Sequence, residues 1–258
     1  MQQTAPLQLK GASTHASIAA SKILIPEVLR LKVVSIMPCV AKKAESARTE
    51  LSKEELLNVD YVLSTREFGH MIKEAGINFA DLEDTEFDSI LGESTGAASI
   101  FGTTGGVIEA AVRTAHELIT GEELESVDFF QLRGLEGIRE ANVQIGDLEL
   151  KIGIAHGLGN ARKLLEAIKR GEANYHAIEI MACPGGCIGG GGQPYHHGDQ
   201  EIIKKRQKAI YEIDKNTPRR KSHENQMVLE LYDKYLGEPY GKKAHEILHT
   251  CYVPGQKI

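Results

Sequence analysis

The sequence of 258 residues contains no tryptophan, only four cysteines, and few aromatic residues, which make up 5% of the chain. No apolar run approaches the roughly 20 residues that a membrane-spanning helix needs. Residues 1–10 lack the charged and then apolar order of a secretory signal peptide. A net charge of −6 without a basic stripe argues against a nucleic-acid-binding surface. We therefore expect a cytoplasmic protein that acts on neither membranes nor nucleic acids.

The four cysteines need an explanation other than disulfides, because thiols stay reduced in the cytoplasm. The apolar fraction of 41% excludes a disordered chain. The length suffices for one large domain or two small ones with their own core. The cysteines are thus candidates for metal binding or catalysis rather than for stabilising a small fold.

Strands that alternate with helices predict an α/β fold with a mainly parallel sheet flanked by helices. Thr65 is predicted to cap the helix that follows it. The expected strands are 32–38, 61–64, 129–132, 141–145, 148–155 and 177–182. The expected helices are 19–30, 54–58, 66–75, 104–119, 160–170, 199–215, 224–236 and 242–249.

The strongest chemical signal is the segment MACPGGCIGGGGQP at residues 181–194. Cys183 and Cys187 follow a predicted buried strand, and the glycines between and after them remove side chains from the loop. Glycine allows tight turns, and it lets backbone N–H groups approach a ligand closely. Thiolates with nearby donors suit an iron–sulfur cluster. A structural zinc knuckle and a polar glycine-rich loop without a ligand remain alternatives at this point.

A second signal is MPCVAKKAE at residues 37–45, where Cys39 also ends a predicted strand. Ligands of open α/β sheets bind outside the carboxyl ends of the strands, so Cys39 and Cys183 could face one site. Lys42 could direct an ammonium group at an anionic ligand. The alternatives are a solvated lysine and a buried apolar cysteine.

Together these loops resemble the second and third signature loops of the FeFe-hydrogenases. The resemblance includes further segments, at residues 62–67, 92–93, 100–110, 219–225 and 244–249. It implies a hydrogen-forming and hydrogen-oxidising enzyme, ferredoxin- or NAD-linked. It also implies one lobe, plus part of the second, of a two-lobed catalytic domain. We expect residues 31–258 to form this iron hydrogenase domain, and residues 1–30 to be unrelated to it or poorly ordered.

The cofactor that the resemblance implies is the H-cluster, a [4Fe–4S] cubane joined through one thiolate to a di-iron unit. That unit carries CO, cyanide and a bridging dithiolate. By motif, Cys39, Cys183 and Cys187 would be cubane ligands, with Cys187 as the bridging one. Gly185 and Gly186 would form the backbone next to the cluster.

The resemblance also implies a pocket for the di-iron unit. Lys42 would donate a hydrogen bond to a cyanide. Pro38 and Phe101 would line the pocket, and the thioethers of Met37 and Met181 would pack beside it, because a soft apolar shell excludes water.

The family has a further signature loop, TSCCPxW, which supplies the fourth cubane ligand and a proton-relay cysteine. This sequence has no counterpart to it, and Cys251, the remaining thiol, stands outside the motifs. We therefore expect activity only with a complementary segment or partner chain, an electron donor such as ferredoxin or a NADH-linked subunit, and cluster maturation proteins. The alternatives are a non-catalytic iron–sulfur protein for sensing or cluster assembly, and an inactive apo fragment.

Overall fold

The computed structural model describes residues 32–53, 56–85 and 93–249. The chain divides into two compact units, which we call the first unit (residues 1–93 and 226–258) and the second unit (residues 94–225). Three predictions lie wholly or partly outside the described residues: the helix at 19–30, the first half of the helix at 54–58, and the environment of Cys251.

The first unit is built around a pair of short parallel strands. Its strands are β1 (Val34–Met37), β2 (Ser52–Lys53), β3 (Leu56–Leu57) and β4 (Tyr61–Ser64). Its α-helices among the described residues are α1 (Ala41–Ser46), α2 (Thr65–Glu74), α7 (Gln226–Leu231) and α8 (Lys242–Leu248). Strand β1 pairs with β4 in parallel, and Val62 of β4 is buried against Met37 at the end of β1. The carboxyl ends of both strands therefore lie on one edge.

Two local predictions for the first unit are wrong. Ser64, not Thr65, caps α2: the Ser64 hydroxyl accepts the Glu67 N–H at 3.2 Å, and the Glu67 carboxylate accepts the Ser64 N–H at 2.7 Å. This is a capping box, which the spacing of Ser64 and Glu67 encodes. Residues 56–57 form strand β3 rather than a helix, because they pair antiparallel with β2.

The predicted helix at 224–236 is interrupted. Its first residue belongs to a short 3-10 turn, Ser222–Glu224, and α7 is followed by a π-helical turn, Tyr232–Leu236. The Gly237 N–H donates to the Tyr232 carbonyl at 2.7 Å, which is the wider i to i+5 bond of a π turn. Gly237 has a φ of +75°, which ends the helix.

The second unit contains a three-stranded mixed sheet with helices around it. Its strands are β5 (Ile138–Ile145), β6 (Leu148–His156) and β7 (Ala177–Met181). Its α-helices are α3 (Gly96–Ile100), α4 (Gly106–Thr120), α5 (Leu158–Lys169) and α6 (Gln200–Asn216). Strand β6 pairs in parallel with β7 through the crossover helix α5, and antiparallel with β5.

The α/β class is confirmed, but the parallel pairings do not dominate. Among the described residues, β1–β4 and β6–β7 are parallel, whereas β2–β3 and β5–β6 are antiparallel. A turn at Gly146, with a φ of +56°, joins β5 directly to β6. Such a short connection reverses the chain and cannot make a parallel crossover.

The core of the second unit lies between α4 and the sheet. Val143, Ile145, Ile152 and Ile154 are buried on one face of β5 and β6, and they pack with Leu132. The predicted strand at 129–132 is a 3-10 turn instead, Phe130–Leu132. Phe129 and Leu132, the two ends of the predicted strand, are both buried and lie three residues apart. This spacing suits a helical turn better than the alternation of a strand.

The other predicted helices and strands within the described residues are confirmed, with ends shifted by at most three residues. No helix in the described part of the chain is long and apolar enough to span a membrane.

A closed ring of six alternating charges ties α4 to α6 in the second unit. In order around the ring it consists of Glu109, Arg113, Asp214, Arg220, Asp128 and Arg133. The side chains of Glu109, Arg113 and Asp214 are fully buried. Because three positive charges face three negative ones, the ring as a whole carries no net charge, and each carboxylate meets two guanidinium groups.

Candidate metal centre

The cysteine loop, residues 182–193, begins directly after β7 and consists of consecutive tight turns. The Gly186 N–H donates to the Cys183 carbonyl at 3.0 Å, and the Gly190 N–H donates to the Cys187 carbonyl at 2.9 Å. Each cysteine therefore opens a turn. The Cys183 side chain is half-buried and Cys187 is exposed, and neither forms a disulfide with another described cysteine.

Two positions between the cysteines require glycine. Gly185 and Gly186 have φ values of +76° and +94°, in the region that side chains disfavour. A Cβ atom on Gly186 would lie 2.7 Å from the Met181 sulfur and 2.8 Å from the Thr104 nitrogen. The backbone of the loop thus packs directly on β7 and on the residues before α4, where no side chain would fit.

The amide donors of the loop are largely used within the protein. The N–H groups of Gly185, Gly186, Ile188, Gly189 and Gly190 all donate to protein acceptors at 2.9–3.1 Å. From their place in the sequence, the glycines of this loop are expected to bring their N–H groups close to a ligand. The structure gives Gly185 and Gly186 a different role, which is to shape the turn between the two thiols.

The segment before α4 holds the cysteine loop from one side. The Thr104 N–H donates to the Gly185 carbonyl at 3.0 Å, and the Ile188 N–H donates to the Gly102 carbonyl at 3.0 Å. Phe101, a predicted pocket residue, is half-buried in the same segment and packs on Ile100. The cysteine loop and the Phe101 segment are therefore one connected structure.

A buried carboxylate anchors this segment to the sheet. Glu179 of β7 accepts the N–H groups of Gly105 at 2.5 Å and Ile108 at 2.9 Å, at the start of α4. Burial raises the pKa of the Glu179 carboxyl, and these two N–H donors oppose the rise. A carboxylate at a helix N-terminus is favoured by the helix dipole.

Helix α6 fixes the far side of the cysteine loop. The Arg206 guanidinium donates to the carbonyls of Ile188 and Pro194, each at 2.8 Å. The Gln207 amide donates to the Thr103 hydroxyl at 3.0 Å. The loop is thus held from the sheet, from the start of α4 and from α6.

The second predicted motif lies in the first unit, at the carboxyl end of β1. Met37 packs on the buried Val62, and Pro38 and the half-buried, free Cys39 connect β1 to α1. The Lys42 ammonium is 2.6 Å from the Glu45 carboxylate, one turn further along α1. The structure thus pairs Lys42 with a neighbouring acid within the motif itself.

Met181 and the two glycines join Cys183 and Cys187 in one place in the second unit, whereas Cys39 and Lys42 belong to the first unit. Within either unit, the described residues gather no group of three or more His, Cys, Asp or Glu side chains that could hold a metal ion. A closed zinc site needs four such ligands. Among the described residues, the zinc alternative therefore has no ligand set inside one unit.

The donor chemistry of the cysteine loop fits an iron–sulfur cluster. Iron–sulfur clusters are bound by cysteine thiolates, and the loop presents two at least partly exposed thiols on a glycine-rich backbone. The Met181 thioether beside Gly186 adds a soft apolar contact.

Three residues that support the site are not among those predicted from the sequence. His156 and Glu179 are polar residues at buried positions of β6 and β7, so their place in otherwise apolar strands is a signal that could have identified them. Arg206 lies on a helix rich in charged residues and carries no comparable signal.

Two family models match the chain. Residues 2–191 match the iron only hydrogenase large subunit, C-terminal domain, and residues 200–255 match the iron hydrogenase small subunit. The likeness therefore includes the first 30 residues, which are predicted from the sequence to be unrelated or poorly ordered. The small-subunit match covers the last part of the expected single domain.

Curated relatives include both hydrogenases and assembly factors. The NADP-reducing hydrogenase subunit HndD of Solidesulfovibrio fructosivorans is 57% identical over 98% of this chain and 43% of its own length. The periplasmic [Fe] hydrogenase large subunit of Nitratidesulfovibrio vulgaris is 49% identical, over 80% of this chain and 48% of its own length. The cytosolic Fe-S cluster assembly factor narfl of Xenopus tropicalis is 30% identical over 98% of this chain and 53% of its own length. The chain spans about half the length of these relatives.

Solved structures show the same relationship. A variant of FeFe-hydrogenase HydA1 from Chlamydomonas reinhardtii has a TM-score of 0.75 at 40% identity, covering 93% of this chain and 68% of that chain. Iron–sulfur clusters and the H-cluster are the cofactors of this family. Because the family model of the iron only hydrogenase large subunit matches residues 2–191, more than half of the chain, the chain belongs to the FeFe-hydrogenase family.

Proposed function

We propose that this chain forms the part of an FeFe-hydrogenase that holds the H-cluster and catalyses the reversible reduction of protons to H2. The observation that carries the proposal is the cysteine loop, in which Cys183 and Cys187 open successive turns of a pinned, glycine-rich backbone. When bound, the H-cluster would supply the redox chemistry of proton reduction, with the electrons coming from an external donor.

In this proposal the protein holds the cubane through Cys39, Cys183 and Cys187. Cubane clusters are bound by four ligands. The fourth ligand and the proton relay come from a complementary segment or a partner chain. The 43% share of the NADP-reducing relative's length that this chain spans leaves room for such a segment in a whole enzyme.

The remaining predicted residues shape the pocket. In this proposal Pro38 and Phe101 line the pocket of the di-iron unit, and Met37 and Met181 pack beside it and exclude water. Lys42 donates to an anionic ligand of the di-iron unit, for which its ammonium must share or leave the Glu45 carboxylate at 2.6 Å.

The partners follow from the chemistry. This chain contributes ligands for one cluster, so electrons come from ferredoxin or from a NADH-linked subunit, and maturation proteins deliver the di-iron unit. The similarity to a subunit of an NADP-reducing hydrogenase supports a multi-subunit enzyme. We propose a cytoplasmic, anaerobic setting. Because one relative is a periplasmic hydrogenase, the cytoplasmic location needs a direct test, which cell fractionation provides.

Iron–sulfur cluster assembly is the second candidate function. The assembly factor of Xenopus tropicalis and the NAR1 protein of Arabidopsis thaliana, 32% identical, each align with at least 96% of this chain. The higher identity of 57% to a hydrogenase subunit favours the hydrogenase. Infrared bands of iron-bound CO and cyanide after maturation would support it, whereas a cubane without such bands would favour assembly.

Iron and sulfide counts on the anaerobically reconstituted chain test cluster binding. We expect Cys183→Ala to lose the cluster, because the loop then offers a single thiolate. Cys251→Ala is the matched control, since it removes a thiol outside the motifs and should keep the iron content of the parent chain. A cluster retained in Cys183→Ala would refute the ligand assignment, and no iron in the parent chain would refute both candidate functions.

A further inference from the structure

His156 is a buried side chain that connects the sheet to the turn between the two cysteines. It is the last residue of β6 and is 8% exposed. Its Nδ1 atom is 3.1 Å from the Gly185 nitrogen, and its Nε2 atom is 3.0 Å from the Leu135 carbonyl oxygen. The ring thus spans the space between the loop before β5 and the cysteine loop.

These two contacts define the form of the ring. The Gly185 N–H can only donate, so Nδ1 must accept and carries no proton. The Leu135 carbonyl can only accept, so Nε2 must carry the proton and donate it. A neutral imidazole protonated at Nε2 is the one form that satisfies both partners.

Gly185 is consequently fixed on both sides of its backbone. Its N–H donates to His156, and its carbonyl accepts the Thr104 N–H at 3.0 Å. Gly185 lies midway between Cys183 and Cys187, with a φ of +76° that this pair of bonds maintains. A rotation of this residue would change the relative placement of the two thiols.

We propose that His156 is a positioning residue for cluster binding, holding the Gly185 amide so that the Cys183 and Cys187 thiolates are presented together. This inference rests on the proposed function, because it assigns the held thiols to the cluster. Outer-shell partners that orient metal ligands typically contribute about 10–100-fold to metal affinity. His156 acts one step further out, through the backbone between two ligands.

Two variants separate the contacts of the ring. The side-chain oxygen of His156→Asn occupies the position of Nδ1, so it can accept the Gly185 N–H while the bond to Leu135 is lost. The side-chain nitrogen of His156→Gln occupies the position of Nε2, so it can donate to Leu135 while the Gly185 N–H loses its partner. Circular dichroism and the melting temperature establish that each variant folds.

The readout is the rate at which the reconstituted chain loses iron to a chelator. We expect His156→Gln to lose iron at least about tenfold faster than the parent chain, and His156→Asn to stay close to the parent. Equal rates for the two variants would overturn the proposal. Should His156→Gln fail to fold, rapid iron loss from a folded His156→Asn would overturn it instead.

A measurement on the unaltered apo chain tests the hydrogen bond without the cluster. With nitrogen-15 in glycine and histidine, we expect a nitrogen–nitrogen scalar coupling between the Gly185 amide and His156 Nδ1, and its absence would overturn the inference. If this coupling is present but the parent chain binds no iron, the proposed function fails while the hydrogen bond stands, so the two failures are distinguishable.

Discussion

Both cysteine motifs start at the carboxyl end of a β-strand, yet the protein restrains them in different ways. The motif around Cys39 in the first unit is followed by a helix of six residues, and its charged side chains form partly exposed pairs such as Lys42 with Glu45. The cysteine loop of the second unit is held by buried backbone hydrogen bonds, and it lies on a unit that contains a buried ring of charges.

The difference shows where each unit has a rigid framework. In the second unit, Glu179, His156 and Arg206 each donate to or accept from backbone groups near the thiols. Such bonds fix the main chain itself. In the first unit, the Lys42 pair is local to one helix turn, and Lys43 supplies a single bond to a backbone group, the Val62 carbonyl. We therefore expect substitutions in the second unit to have larger effects on folding than those around Cys39.

The largest expected effect comes from opening the charge ring. Arg113→Met leaves the Glu109 and Asp214 carboxylates buried without their shared partner. Breaking a buried ion pair on one side costs about 3–5 kcal/mol, so we expect a loss of this size in the free energy of unfolding, measured with urea. Arg170→Met removes an exposed pair with Glu172 and serves as the control with no measurable change. Equal stability of the two variants would contradict the importance of the ring.

A smaller effect is expected from Gly186→Ala. The φ of +94° and the contacts at 2.7 and 2.8 Å leave no room for a methyl group. Backbone strain of this kind costs about 1–3 kcal/mol, and the displaced turn should also lose iron. Gly159→Ala is the matched control, because Gly159 lies in α5 with open space around it. That control should gain up to about 1 kcal/mol, and a similar gain in Gly186→Ala would refute the close packing.

Acid should weaken the second unit through its paired carboxylates. The Arg220 and Arg133 guanidinium groups lower the pKa of Asp128 to about 2. Burial would raise the pKa of Glu117, but bonds from Lys221, the Leu124 N–H and His223 outweigh it and bring the pKa to about 2. Groups with lowered pKa values stabilise the fold above their ordinary pKa and lose this contribution as the pH falls through the lowered value.

We therefore expect the free energy of unfolding to fall between about pH 4.5 and pH 2, as followed by urea titrations at several pH values. Asp128→Asn should flatten this dependence, because the amide does not titrate. An unchanged pH dependence in Asp128→Asn would show that its carboxylate is not bound by the arginines in solution.

Most strands and both cysteine motifs could be predicted from the sequence, because hydrophobic alternation and short motifs are local features. Strand β4, for example, is found at the residues expected from the sequence, 61–64. The turn at 130–132 was not accessible, since the burial of Leu132 depends on the sheet that it packs against. The contact from His156 to Gly185 spans 29 residues, and nothing local in the sequence encodes it.

The smallest expected effect concerns two adjacent lysines of the first unit. Lys42→Met should change the free energy of unfolding by less than about 1 kcal/mol, because partly exposed pairs contribute little. Lys43, in contrast, donates to the Val62 carbonyl at 2.9 Å and to Glu67 at 3.0 Å, and with the Ser64 contacts it lowers the pKa of Glu67 to about 2.

Lys43→Met should therefore raise the pKa of Glu67 toward its ordinary value of 4.5, whereas Lys42→Met should leave it unchanged. Carbon-13 NMR titration of the Glu67 carboxyl measures this directly in both variants. A Glu67 pKa that moves with Lys42 instead would mean that the charges near Cys39 form one network. The first unit would then hold its motif by connected contacts, as the second unit does, and the contrast between the two loops would disappear.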